Sequence, residues 1–167
     1  MTVGKFGGIK LDEYYTNKLE QGLTYQDFVA DQLYNIGLVV VPYMSTEYQK
    51  HKGESRNGIE IKFDDRIKDT GNVYIETSEK SKSTNKEYFP SGIYRNDNTW
   101  LYVIGNYDLI LIFGKRNLQI LFEGGKYQEI EIARGTSKGF LLPLVFAKER
   151  VAIKYIEIQP ELKLAGG

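Results

Sequence analysis

Charged side chains that could bind a metal ion and a phosphate occupy alternate positions in two neighbouring segments of the chain. The polar positions are, in order, Glu60, Lys62, Asp64, Glu76, Ser78 and Lys80. Side chains two residues apart lie on the same face of a β-strand, and most of the intervening residues here are apolar. The pattern therefore predicts two strands, each with one buried face and one charged face.

A tight turn between these segments would bring their charged faces together. Asp69-Thr70-Gly71 suits a three-residue hairpin loop in which Gly71 takes the left-handed conformation. An odd loop also keeps the apolar residues of both strands on one face, whereas a two-residue turn would bury the charges. The loop predicts three cross-strand pairs, namely Asp64 with Glu76, Lys62 with Ser78, and Glu60 with Lys80.

The predicted pair of Asp64 and Glu76 favours a divalent cation. Two facing carboxylates lie about 5 Å apart and repel each other. Mg²⁺ and Mn²⁺ prefer carboxylate oxygens and would remove this penalty. Lysines on the same face could contact a phosphate or orient an attacking water, which predicts metal-assisted phosphodiester hydrolysis. The alternative is a solvated sheet face with cross-strand ion pairs.

Helices and further strands must hold the two strands in place. Thr24 and Asp27 predict the start of a helix, with Thr24 as N-cap, and Gly37 predicts its end. The apolar run 38–43 predicts a buried strand directly after this helix. Further strands are predicted at 99–104, 107–113, 135–145 and 151–158, and a helix or a strand at 115–123. This order predicts one mixed α/β domain over residues 1–167, with a flexible segment at 1–10.

The composition excludes several kinds of protein and site. With 41% hydrophobic and 26% charged residues, the chain has the balance of a globular rather than a disordered protein. It has no cysteine and one histidine, His51, which excludes disulfide frameworks, thiolate metal clusters and sites that need two imidazoles. The formal net charge is zero, so a DNA-binding function must rest on local features. Short apolar runs and the lack of a recognisable signal peptide predict a soluble cytoplasmic protein with no membrane contact.

The order of helix, strand, acid-bearing strand and glutamate-bearing strand over residues 24–80 resembles the PD-(D/E)XK nuclease superfamily. Residues 58–64 and 74–80 carry the resemblance, which extends to phage- and prophage-borne members of that superfamily. It implies a restriction-endonuclease-like core, in which a mixed central sheet is flanked by helices. It also implies an endonuclease that hydrolyses DNA with Mg²⁺ or Mn²⁺ bound by Asp64 and Glu76. Cleavage of both strands of a duplex by a chain of this size would call for a homodimer.

The superfamily pattern expects lysine at position 78, where this chain has Ser78. Two lysines could replace it. Lys80 lies two residues further on the same predicted face, and Lys62 lies opposite Ser78 in the predicted pairing. In this register Glu60 would be a partner of Lys80 or an additional metal ligand.

A second register is open. It takes Glu60-Ile61-Lys62 as the acid-x-lysine element, with Glu47 or Glu54 as the earlier acid. Asp64 and Glu76 would then be accessory residues.

Two basic segments could contact the nucleic-acid backbone. They are the loop 80–86, which would leave the end of the Glu76 strand, and the turn 135–139. The predicted nucleic-acid-binding residues are Lys82, Lys86, Lys138 and Arg56. The Gly-x-Ser-x-Gly string at 135–139 is no serine-hydrolase site, because no histidine follows it in the chain.

Two other functions compete with the nuclease. One is a non-catalytic nucleic-acid-binding or assembly protein of a phage or mobile element that retains the nuclease-like fold, which Ser78 favours. The other is a structural protein with no nucleic-acid role, which the zero net charge favours.

Overall fold

The computed structural model describes residues 6–160, and the chain forms two compact units, Met1–Val39 and Val40–Gly167. Across the described residues the α-helices are α1 (Phe6–Asn35), α2 (Thr46–Lys52), α3 (Ile67–Thr70), α4 (Lys115–Glu123) and α5 (Leu144–Phe146). Gly92–Tyr94 forms a 3-10 helix and Ala147–Val151 a π-helix. The strands are β1 (Ile59–Phe63), β2 (Asn72–Glu79), β3 (Phe89–Pro90), β4 (Leu101–Gly105), β5 (Leu109–Gly114), β6 (Ile130–Ile132), β7 (Ser137–Pro143) and β8 (Lys154–Glu157). The predicted mixed α/β class is confirmed.

The first unit contains helix α1, which is thirty residues long. Its predicted end is confirmed, because Gly37 has a φ of +85° and donates its N–H to the Tyr34 carbonyl, while Leu38 donates to the Leu33 carbonyl. Its predicted start at Thr24 is wrong. Lys18, Leu19, Glu20 and Gln21 just before it are good helix formers, so the helix continues through this position and Thr24 has no capping role.

In the second unit the strands form two four-stranded sheets. The first has the order β1-β4-β5-β8, with β1 parallel to β4 and the other pairs antiparallel. The second has the order β3-β2-β7-β6 and is antiparallel throughout. A single hydrophobic core takes residues from both sheets, including Ile104 and Phe113 from the first and Ile75 and Phe140 from the second. The core therefore holds the two sheets together.

The predicted hairpin is wrong, although both of its strands exist. β1 lies in the first sheet and β2 in the second, so the two strands do not pair. Residues between them form the short helix α3, which buries Ile67 in the core. Gly71 is left-handed as predicted, with a φ of +65°, but it ends this helix by donating its N–H to the Ile67 carbonyl. The predicted pairs of Asp64 with Glu76, Lys62 with Ser78, and Glu60 with Lys80 are therefore wrong.

Most of the other predicted strands are present with shifted ends. The predictions at 99–104, 107–113, 135–145 and 151–158 correspond to β4, β5, β7 and β8, and 115–123 is the helix α4. The predicted strand at 38–43 is wrong, because only Pro42 makes an isolated bridge, to Ser55. Proline cannot donate to a ladder, and Val41 is 43% exposed rather than buried.

Two further predictions concern a flexible segment at residues 1–10 and the lack of a membrane-spanning helix. Of the predicted flexible segment, residues 1–5 lie outside the described part of the chain and residues 6–10 form the first turns of α1. Among the described helices, none combines the length and the apolar character that a bilayer span requires.

Candidate active site

A cavity of about 680 Å³ is lined by residues of both sheets in the second unit. Its lining includes Lys62, Asp64, Tyr74, Glu76 and Tyr102. Lys62 belongs to β1, Asp64 follows β1 directly, Tyr74 and Glu76 lie on β2, and Tyr102 lies on β4. Three side chains that the sequence marks for metal and phosphate chemistry therefore meet in one cavity, although their strands do not pair.

Asp64 lies where the chain leaves β1 and enters α3. Its Oδ1 accepts a hydrogen bond from the Arg66 N–H at 3.1 Å, and its Oδ2 accepts one from the Tyr74 N–H at 3.3 Å. The carboxylate thus links the end of β1 to β2. Burial raises the pKa of Asp64, and these two hydrogen bonds only partly offset it. Among the described residues no lysine or arginine forms an ion pair with it, so a bound cation would favour its charged form.

Glu76 is held by two serines that sequence reasoning did not assign to the site. Ser91 donates its hydroxyl to Oε1 at 2.6 Å, and Ser137 donates to Oε2 at 2.7 Å. Both serines are buried. Because Ser137 gives its only hydroxyl proton to Glu76, the Tyr74 hydroxyl 2.8 Å away must donate to Ser137. Each carboxylate oxygen keeps a further lone pair, so the serines orient Glu76 without preventing it from binding a metal.

A glycine next to Ser91 allows this arrangement. Gly92 has a φ of +51°, and a Cβ built there would lie 2.2 Å from the backbone oxygen of Glu76. No side chain fits between the two segments. In the sequence, the Gly-x-Ser-x-Gly string at 135–139 marks the position of Ser137. Its last glycine, Gly139, makes a similar close approach, because a Cβ added there would lie 2.2 Å from the carbonyl oxygen of Ile75.

We expect Gly92→Ala to destabilise the fold by about 3 kcal/mol, because it combines left-handed strain with a backbone clash. Gly71→Ala is the matched control, since Gly71 has a similar φ of +65° but nothing within 4 Å of an added Cβ. It should cost about 1 kcal/mol. Urea denaturation of the two variants measures the difference. Equal losses would contradict the close approach of Gly92 to Glu76.

Lys62 lies between two glutamates at the edge of the cavity. Its Nζ is 2.7 Å from Oε1 of Glu60 and 3.2 Å from Oε1 of Glu54. Glu60 is 1% exposed, and it also accepts hydrogen bonds from the hydroxyls of Tyr102 (3.0 Å) and Thr99 (3.3 Å). Burial alone would lower the pKa of Lys62, but the two carboxylates outweigh it and raise the pKa above its usual value. The ammonium therefore stays charged.

The second register takes Glu60 and Lys62 as the acid-x-lysine element, with Glu47 or Glu54 as the earlier acid. The structure brings the side chains of Glu54, Glu60 and Lys62 together, whereas Glu47 lies on α2 outside the cavity. Only Lys62 of the three lines the cavity. Burial raises the pKa of Glu54, with Lys62 acting in the opposite direction. Both carboxylates pair with Lys62, and neither lines the cavity.

The remaining predicted site residues lie outside the cavity lining. Lys80 and Lys138 come together over the ring of Tyr88, with their Nζ atoms 4.6 and 4.3 Å from its centroid. Lys82 and Lys86 are exposed in the loop after β2, and Arg56 is exposed in the turn before β1. Lys62 rather than Lys80 is therefore the lysine that shares the cavity with Asp64 and Glu76.

Two of the carboxylates that line the cavity, Asp64 and Glu76, could act as metal ligands. Among the side chains that the structure describes, no group of three histidine, aspartate or glutamate residues converges to hold a metal. Mg²⁺ usually keeps several waters and binds through one or two carboxylates, so Asp64 and Glu76 would suffice. Both face the same cavity and both retain free lone pairs.

The chain matches no protein-family model, no curated protein and no solved structure. The resemblance to the PD-(D/E)XK superfamily therefore stays a prediction from residues 24–80.

Proposed function

We propose that this protein is a metal-dependent endonuclease that hydrolyses phosphodiester bonds in DNA. The observation that carries the proposal is that Asp64, Glu76 and Lys62 line one cavity. Its volume of about 680 Å³ lies in the range of small-molecule sites and would admit a phosphate with its neighbouring sugar. Carboxylates can hold a divalent ion and a permanent cation can offset negative charge on the phosphate, which is the chemistry of metal-assisted phosphodiester hydrolysis.

Asp64 and Glu76 would hold Mg²⁺ or Mn²⁺. The metal, when bound, lowers the pKa of a coordinated water and offsets negative charge on the phosphate. Asp64 is desolvated without an ion-pair partner among the described residues, which favours a cation beside it. Ser91 and Ser137 orient Glu76 and leave it lone pairs for a ligand.

Lys62 would take the role that the superfamily pattern gives to a lysine at position 78. Its ammonium has three N–H donors, of which Glu60 and Glu54 engage two. The third could point to the attacking water or to a phosphate oxygen. Because its pKa is raised, Lys62 would act as a fixed positive charge and a hydrogen-bond donor, not as a proton acceptor.

The proposal extends to the fold. A restriction-endonuclease-like core would place β1, β4 and β5 in the central mixed sheet, with Asp64 at the end of β1, whereas Glu76 comes from β2 of the second sheet. The parallel pairing of β1 with β4 and the antiparallel pairing of β4 with β5 are consistent with it.

A non-catalytic nucleic-acid-binding or assembly protein of a phage or mobile element is the second candidate. Two observations favour it. Ser78 replaces the lysine of the pattern, and both carboxylate oxygens of Glu76 already accept strong hydrogen bonds. Such a protein would bind nucleic acid with an affinity that depends on salt and not on a chelator.

The test is a cleavage assay with Mg²⁺, Mn²⁺ or EDTA on linear duplex, branched and single-stranded DNA and on RNA. We expect metal-dependent cleavage of DNA by the wild type, and at least about 100-fold less by Glu76→Gln. Gln keeps the shape of the side chain and can still hydrogen-bond to both serines. Glu87→Gln, at an exposed glutamate outside the cavity, is the control and should cleave like the wild type.

Other outcomes separate the candidates. Cleavage of RNA alone would keep the nuclease and reject DNA as its substrate. No cleavage of any substrate, with Mn²⁺ failing to raise the melting temperature, would reject the nuclease. Chelator-independent DNA binding in that case would favour the non-catalytic protein.

A further inference from the structure

Two lysines meet at one tyrosine at the end of β2 and β7. Lys138 lies on β7 opposite Ser78, and the Lys80 N–H donates to the Thr136 carbonyl at 2.9 Å just beyond the ladder. Both ammonium groups lie over the ring of Tyr88, at 4.6 Å for Lys80 and 4.3 Å for Lys138. We call Lys80, Tyr88 and Lys138 the lysine–tyrosine cluster.

The tyrosine of the cluster is anchored through its hydroxyl. It donates to Oε2 of Glu131 and lies 3.0 Å from the Gly135 carbonyl oxygen. Lys80 is fixed as well, because its Nζ donates to the Asn85 carbonyl at 2.9 Å. The ring and the loop therefore hold the ammonium groups in place, which reduces the entropy that a ligand would lose in ordering them.

Neither lysine of the cluster forms an ion pair among the described residues, although the carboxylates of Glu129 and Glu131 lie near Tyr88. Glu131 lies directly opposite Lys138 in the ladder between β6 and β7, which is the usual position of a cross-strand ion pair. Its carboxylate accepts from Tyr88 instead. Within the described part of the chain neither Lys80 nor Lys138 forms an ion pair. Two like charges at one ring repel, and an anion bound between them would relieve that repulsion.

We propose that the lysine–tyrosine cluster binds a backbone phosphate of a nucleic-acid strand outside the cavity. The identity of the ligand as a nucleic acid rests on the proposed function. Lys80 follows Glu76 by four residues, about 13 Å along an extended strand, and Lys138 adjoins Gly139, which lies opposite Glu76. A strand with one phosphodiester in the cavity could therefore place a phosphate a few nucleotides away on the cluster. Lys82 and Lys86 in the adjoining loop extend the positive surface.

The test measures binding of a fluorescent single-stranded DNA oligonucleotide by anisotropy, in EDTA and over a series of salt concentrations. We expect Lys80→Ala/Lys138→Ala to bind at least about tenfold more weakly than the wild type at low salt. The slope of log affinity against log salt should fall by about 0.7 for each phosphate that the variant no longer neutralises. Lys126→Ala/Lys154→Ala is the control, because it removes the same charge from two exposed lysines elsewhere, one of which also lies over aromatic rings.

Tyr88→Ala distinguishes the effect of the arrangement of the two lysines from the effect of their charge. It keeps both lysines but removes the ring that gathers them, so we expect a loss of affinity of about threefold or more with most of the salt slope retained. Wild-type affinity in the double lysine variant would overturn the inference. Equal losses in the double lysine variant and in its control would also overturn it, because the effect would then be one of net charge.

The failure of this inference is distinguishable from the failure of the nuclease. Metal-dependent cleavage by the wild type, together with unchanged DNA binding in Lys80→Ala/Lys138→Ala, overturns the phosphate site alone. DNA binding that needs the cluster, without metal-dependent cleavage, overturns the nuclease and supports a binding protein that uses the same surface.

Discussion

Asp64→Asn is expected to reduce metal-dependent cleavage by at least about 100-fold. The substitution replaces the proposed charged ligand by a neutral side chain in the cavity that Glu76 also lines. It should also abolish the rise in melting temperature that Mn²⁺ produces in the wild type, because a metal that binds only the folded state stabilises it. Asp69→Asn is the control, since Asp69 is exposed on α3 and does not line the cavity. Unchanged metal-induced stabilisation in Asp64→Asn would contradict Asp64 as a ligand.

The raised pKa of Asp64 gives the same experiment a pH dependence. In the folded state this carboxyl holds its proton to a higher pH than the usual value of 3.8, because burial disfavours the charge. Burial of the Asp64 carboxylate therefore does not lower the stability of the fold below pH 3.8. The loss of stability appears as the pH rises through the folded-state pKa and is constant above it. Metal binding needs the ionised form and removes that cost. As the pH is lowered, the rise in melting temperature with Mn²⁺ should therefore disappear at a higher pH than it would for an aspartate with an ordinary pKa.

Lys62→Ala is expected to lower the free energy of unfolding by about 1–3 kcal/mol. The substitution leaves Glu60, which is almost fully buried, without its cation. Removing one member of a fully buried pair typically costs about 3–5 kcal/mol, and the 42% exposure of the Lys62 side chain reduces the expected loss. Urea denaturation at neutral pH measures it.

A double-mutant cycle identifies the cause of this loss. Glu60→Gln keeps an oxygen for the Tyr102 hydroxyl and removes the charge that Lys62 compensates. The double variant Glu60→Gln/Lys62→Ala should therefore be more stable than the single variant Lys62→Ala. Additive losses would show that the ion pair is not responsible. Because Lys62→Ala combines a structural and a catalytic effect, its cleavage activity is to be measured at a temperature where the variant is fully folded.

The alternation of apolar and charged residues predicted β1 and β2 correctly and failed on how they pair. A two-residue period shows that a strand has two different faces, but it does not show which strand lies beside it. Asp69-Thr70-Gly71 has the residues of a hairpin loop and also those of a helix end, since both need a left-handed glycine. The chain forms the helix end and not the hairpin loop, and the helical turn α3 buries Ile67 in the core.

The charged face of β1 also shows that a local pattern does not reveal which residues cover a strand. Ile59, Glu60 and Ile61 are all buried, so the face that reads as solvated is covered. Glu60 tolerates burial because Lys62, Tyr102 and Thr99 satisfy its carboxylate. Two of these partners lie about forty residues away in the chain, beyond the reach of any local pattern.

The sequence by itself determined the class of the fold, most of the strands, and the side chains that could perform metal and phosphate chemistry. Local periodicity and residue type are sufficient for these. Only the tertiary structure decided that Asp64, Glu76 and Lys62 share a cavity, that Ser91 and Ser137 hold Glu76, and that Lys80 lies with Lys138 at Tyr88. These juxtapositions depend on the packing of two sheets around one core, which no spacing along the chain encodes.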